Sequence, residues 1–192
     1  VFVEKPLAIN GEQLSVISKQ LAKSDDCLLI TGFNRRFSPL AQSLHSLLVT
    51  RHEPLHAHHR VNAGFIPANH WTQDPAIGGG RIIGEACHFI DFITFLVGTA
   101  PISVTAHALP DGGKYREDNV SMTFTFPDGS LGIVDYLANG DKSMPKERLE
   151  VFCEGMVAVL DDYVSLTTVK DGKKKEERIA QDKGWKAEMS AF

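Results

Sequence analysis

Val120-Ser121-Met122-Thr123-Phe124-Thr125-Phe126-Pro127-Asp128-Gly129-Ser130-Leu131-Gly132-Ile133-Val134-Asp135-Tyr136-Leu137 decides the fold. Val120–Phe126 and Leu131–Leu137 are strand-like runs carrying an apolar face, and Asp128-Gly129 between them is a turn pair. The same pattern continues outward. Ile102–Ala108, Leu149–Cys153, Val157–Leu160, Tyr163–Val169 and Glu176–Ile179 are further strands, with turn pairs at Asp111-Gly112 and Asp171-Gly172.

Upstream the period is that of helices. Asn10 can cap a helix over Glu12–Lys23, where Leu14, Ile17 and Leu21 form a stripe expected to be buried. Cys27–Gly32 predicts a short buried strand. Ser38–Leu48 sets Leu40, Leu44, Leu47 and Leu48 on one helix face, and Leu55–Val61 alternates as a half-buried strand. Residues 62–80 lose all periodicity, and Arg81–Leu96 predicts a central helix stopped by Gly98 and Pro101. Helices followed by an antiparallel meander predict an α+β fold, an open-faced sheet with helices packed on one face. The uncovered face predicts a homo-oligomer joined through the sheet.

The chain has 192 residues, 43% hydrophobic and 23% charged, with a net charge of −4. That composition describes one globular domain over residues 1–192 and argues against a nucleic-acid or membrane-surface partner. No stretch reaches the roughly 20 apolar residues of a membrane span and no signal peptide is evident, so the expected location is cytoplasmic. Cys27, Cys87 and Cys153 are widely spaced within apolar segments and predict buried free thiols. Val1-Phe2-Val3 at one end and Trp185–Phe192 at the other are the edges of elements, and predict a fragment of a longer protein.

Chemistry concentrates in Gly78-Gly79-Gly80-Arg81-Ile82-Ile83-Gly84-Glu85-Ala86-Cys87-His88-Phe89-Ile90-Asp91. On a helix, Glu85 and His88 share a face, can share a hydrogen bond, and bring a carboxylate and an imidazole to one substrate. The plainer alternative is a glycine-led helix with a core histidine and a solvated glutamate. Asn34, Arg35 and Arg36 follow a strand, so an arginine there can fix a phosphate or a sugar hydroxyl, or form a salt bridge to the N-terminal helix, the reading preferred for Arg36. In the long loop, Asn69 and Trp71 can wall a sugar, or Trp71 can anchor the loop to the core. His52, His56, His58 and His59 are the one metal-like cluster, with no Cys or carboxylate close in sequence, so no metal site is assigned.

Three motifs in order, Val1-Phe2-Val3-Glu4-Lys5-Pro6, Gly32-Phe33-Asn34-Arg35-Arg36-Phe37 and the glycine-helix segment, resemble the Gfo/Idh/MocA family of NAD(P)-dependent oxidoreductases. The segments Asp118–Val120, Phe126–Ser130, Tyr136–Asp141 and Pro145–Glu150 resemble the branch fused to a zinc-alcohol-dehydrogenase-like domain. The resemblance implies the C-terminal, substrate-binding and oligomerisation half of an enzyme. Hydride would pass between NAD or NADP and a sugar-like or other hydroxyl-bearing small molecule. It also implies a Lys5 that reaches nicotinamide and substrate, a Pro6 that can be cis, cofactor contacts from Lys5, Pro6 and Arg35, and a catalytic His88 assisted by Glu85. Glu85 and His88 join Asn69 and Trp71 at the substrate. The family's usual Asp, four residues before the histidine, is Gly84 here, with the acid moved to Glu85.

No glycine fingerprint follows a strand in this chain, so the cofactor is expected to be held mainly by sequence upstream. Two rival readings remain: a non-catalytic interaction module that lost its active site at Gly84, and a metal hydrolase built on the histidine cluster.

Overall fold

A computed structural model describes residues 1–23 and 26–192. Its main body is an eight-stranded sheet covered on one face by two helices. In chain order the elements are β1 (Phe2–Glu4), α1 (Gly11–Leu21), β2 (Ile30–Gly32), α2 (Pro39–Leu48), β3 (His56–Asn62), α3 (Cys87–Val97), β4 (Ser103–Ala108), β5 (Asn119–Thr125), β6 (Leu131–Leu137), β7 (Glu147–Cys153), β8 (Met156–Asp161), β9 (Ser165–Lys170), β10 (Lys173–Arg178) and α4 (Trp185–Ala191). The α+β architecture predicted from the strand and helix periods is the one observed.

The sheet order is β10-β9-β8-β7-β3-β6-β5-β4. All its pairings are antiparallel except β3 with β6, because β3 comes from before the meander and slots between β6 and β7. The connection over residues 138–146 crosses the inserted strand. α2 is started by Pro39 at its first turn, and α3 is stopped by Gly98 in the left-handed conformation. Leu40, Leu44 and Leu48 of α2 and Phe89, Phe92, Ile93 and Leu96 of α3 are buried with Ala57, Val61, Val134, Val151 and Leu160 of the sheet. Each of these side chains larger than alanine contributes about 1.5–3 kcal/mol of transfer free energy, which fixes α3 over the middle of the sheet.

Three expectations are corrected. Asn10 does cap α1, accepting from Gln13 N–H at 2.9 Å, but no residue of α1 is buried and Leu14 is 46% exposed. The reason is placement: α1 goes with β1 and β2, a separate parallel pair outside the large sheet. Leu47 is likewise exposed, off the packed face of α2. Cys27 lies outside β2 and is exposed, Cys87 is half-buried and Cys153 buried; all three are free thiols.

Candidate functional site

Lys5 and His88, 83 positions apart in sequence, are brought to one place by the seam between the small parallel pair and α3. β1 ends at Glu4, the Lys5-Pro6 peptide is cis, and Lys5 Nζ donates to the Gly84 carbonyl at 2.5 Å. Gly84 lies in a five-residue π turn, Ile82–Ala86, that leads directly into α3. Such insertions recur at functional sites. His88 on the first turn of α3 is 4% exposed, its ring edge-on to Phe33, and its Nδ1 is buried without a hydrogen-bond partner. Burial, then the positive charges of Arg35 and Lys5, push the imidazole down to about 3. It is therefore neutral at physiological pH, and its protonation is opposed by burial and by both cations.

The expected Glu85–His88 bond is not formed. Glu85 Oε2 accepts from Arg81 at 3.0 Å and from the Tyr136 hydroxyl, while Oε1 accepts from Lys146 Nζ. The physical cause is the π turn, whose wider i→i+5 winding rotates Glu85 around the axis away from His88. Burial opposes the charge on Glu85, but Lys146, Tyr136 and Arg81 outweigh it and hold the carboxyl at about 2. Glu85 is thus an anion at neutral pH that clamps the turn to Tyr136 of β6 and to Lys146, the last residue before β7.

Arg35 also differs from its expected cofactor role. Its guanidinium is bidentate on buried Glu147, both contacts 2.8 Å, and lies 4.8 Å over the Phe89 ring. Lys183 at 2.9 Å and His59 at 3.6 Å complete the cluster around Glu147. Arg35 is committed inside the domain, and it reaches the candidate site through its field on His88. Arg36 pairs with Asp91 of α3, not with the N-terminal helix. The histidine cluster disperses: His58 bonds Asp135 at 2.6 Å, His59 faces Glu147, and His56 packs on Phe152. No group of metal-ligating side chains with binding geometry occurs among the described residues.

Asn69 and Trp71 lie on the loop before the π turn. A Cβ at Gly84 would stand 3.1 Å from both the Gly78 carbonyl and Thr72 Cγ2, so this loop sits directly on the turn that holds Lys5. Trp71 is 62% exposed and does not anchor the loop; buried Gln73 does, donating to Asp118 at 3.2 Å. Sequence reasoning missed Arg81, Tyr136, Lys146 and Glu147. One signal was available, since Glu147 is a lone charge in register with Leu149, Val151 and Cys153 on the core face of β7.

Residues 52–158 match the model of the GFO/IDH/MocA C-terminal domain. The chain is 31% identical over 138 residues to inositol 2-dehydrogenase 2 of Saccharopolyspora erythraea, covering 70% of this chain and 38% of that protein. It is 30% identical over 149 residues to inositol 2-dehydrogenase of Rhizobium meliloti, covering 70% and 42% respectively. The matches thus span about two fifths of the length of these relatives. Among solved structures, an inositol dehydrogenase homolog complexed with NAD+ from Azotobacter vinelandii superposes with a TM-score of 0.79 at 16% identity, over 93% of this chain and 50% of that one. An NAD binding oxidoreductase from Klebsiella pneumoniae gives 0.78 at 20% identity, over 100% and 57%. With more than half of its residues matched by the domain model and the same fold in these structures, the chain belongs to the Gfo/Idh/MocA family, as its C-terminal domain.

Proposed function

We propose that these 192 residues are the substrate-binding and oligomerisation half of a nicotinamide-dependent oxidoreductase acting on a sugar-like or other hydroxyl-bearing substrate. NAD or NADP is then held mainly by sequence upstream, and the protein is of the branch fused to a zinc-alcohol-dehydrogenase-like domain. The observation that carries the reading is the meeting of Lys5 with the Gly84–His88 segment. The names of the relatives point to polyols. A buried imidazole with an unpartnered nitrogen beside an ammonium fits the reacting end of such a site, with Lys5 and Pro6 as the residues that would hold the nicotinamide edge.

When bound, the nicotinamide supplies or accepts the hydride. The chain's own part is proton handling and charge. In the oxidative direction the hydroxyl proton passes to His88 at Nε2, since Nδ1 is sealed inside the protein, and the negative charge developing on the substrate oxygen offsets the cost of protonating the buried ring. The Lys5 ammonium stabilises the developing alkoxide. Burial, with the charges of Arg35 and Lys5, keeps the ring neutral, and Glu85 holds the turn that presents it. Asn69 and Trp71 stand on the substrate side.

In the full-length protein, His88→Ala is expected to lower turnover by roughly 10²–10⁴ with cofactor affinity and folding retained. An unchanged rate would favour the non-catalytic module.

A further inference from the structure

The turn Trp71–Gln73 is fastened to the domain by its neighbours while its indole stands in solvent. His70 Nδ1 accepts from the Thr72 N–H at 3.3 Å and pairs with the Thr72 hydroxyl at 2.8 Å. Gln73 is tied to buried Asp118, and the Thr72 backbone packs against Gly78. An exposed tryptophan on a pinned backbone is a preorganised platform, because seating a ligand on it orders little further chain.

The indole borders an open pocket of about 450 Å³ whose walls include Asn69, His70, Asp74 and Arg116. Of Arg116 only the backbone N–H is hydrogen-bonded among the described residues, so its guanidinium donors are free. Asp74 uses one carboxylate oxygen on the Ala76 N–H at 2.8 Å and keeps the other. An aromatic side chain in one lining with an amide, a carboxylate and an arginine that also borders the adjoining pocket matches a pyranose. The sugar's C–H face stacks on the indole while its hydroxyls both donate and accept. One carboxylate against one guanidinium leaves no net charge to select a phosphate.

Neither Lys5 nor His88 lines this pocket. Thr72, the residue after Trp71, packs on Gly84, whose carbonyl holds Lys5. The pocket is therefore linked to the candidate reaction site through the contact of Thr72 with Gly84. Resting on the function proposed above, we infer that it is a subsite for a second, non-reacting pyranose ring. The substrate is then a glycoside of at least two rings, and the remote ring supplies binding energy that orients the reacting one.

The test is calorimetric titration of the full-length protein, saturated with NAD, using maltose, cellobiose and trehalose, each compared with glucose. At least one disaccharide should bind about tenfold more tightly than glucose, the worth of one stacked ring. That ratio should collapse towards one in Trp71→Ala and shrink severalfold in Arg116→Ala, with unchanged circular dichroism. The subsite is overturned if no disaccharide exceeds glucose, if the ratio survives Trp71→Ala, or if UDP alone binds in a Trp71-dependent way, which would make the pocket a nucleotide site. NAD reduction without a disaccharide preference overturns the subsite alone. No NAD reduction with any of these sugars or with myo-inositol overturns the parent reading and the subsite together.

Discussion

Burial sets the protonation state of His88, and with it a pH signature that denaturation can read. The native imidazole sits at about 3, against about 6.5 in an unfolded chain. Below pH 6.5 the unfolded chain takes up a proton that the native ring does not, so stability falls as pH drops from 6.5 towards 3. At pH 5 the loss is about 2 kcal/mol relative to neutral pH. Urea midpoints at pH 7.5 and pH 5 should therefore differ less in His88→Ala than in the parent, and equal differences would place the ring in ordinary solvent. Glu147 carries a second residue-scale expectation. It is 1% exposed and faces Arg35, Lys183 and His59, so Glu147→Ala leaves the buried Arg35 guanidinium without its counterion, while Lys183 keeps Asp162 at 3.2 Å. Removing one partner of a buried pair costs about 3–5 kcal/mol. A urea titration showing under 1 kcal/mol would mean that water reaches Arg35 freely.

The π turn is the element on which the site depends, and its surroundings decide what an acid at position 84 would displace. The loop lies so close to Gly84 that a Cβ there, 3.1 Å from Gly78 O and Thr72 Cγ2, would push it by a few tenths of an ångström, and Lys5 is bonded to the Gly84 carbonyl. Gly84→Asp should therefore displace the loop instead of restoring the family's usual arrangement, and lower the midpoint of thermal unfolding. Gly78→Ala should be worse, since its Cβ would stand 2.4 Å from the Thr72 Cα, a backbone atom that cannot move alone. Overpacking of this kind costs about 1–3 kcal/mol. A Gly78→Ala protein as stable as the parent, measured by calorimetry, would show that the loop does not rest on the turn. The triple glycine was legible from its residues, whereas the π winding was not. Nothing in Ile82-Ile83-Gly84-Glu85-Ala86 distinguishes a π turn from an α-helix; the closing contacts to Thr72, Tyr136 and Lys146 do.

At the scale of the molecule, the sheet has one face under α2 and α3 and the other uncovered. β4 is exposed along its whole length, and β10 likewise. Self-association through the uncovered face is expected to give an isologous dimer. Sedimentation velocity at micromolar concentration should show it, and a monomer throughout would remove the interface. The 192 residues by themselves should bind neither NAD nor NADP by calorimetry, since no strand in them is followed by the glycine-rich helix start that holds a pyrophosphate. Micromolar affinity would place the cofactor site within this chain.

Strand and helix types, the turn pairs, the Asn10 cap and the candidacy of Lys5 and His88 were determined by the sequence alone. The first three rest on propensities and periods that act within a few residues, and the last on motifs standing in a known order. The placement of α1 outside the main sheet, the insertion of β3 between β6 and β7, and the long-range partners of Arg35, Lys5 and Glu85 were decided by tertiary structure. Arg35 finds Glu147 across 112 residues, Lys5 finds Gly84 across 79, and Glu85 finds Lys146 across 61. A charge pairs with whatever oppositely charged group the closed chain brings within a few ångströms of it, and that distance is set by the packing of helices on the sheet, which no local pattern encodes.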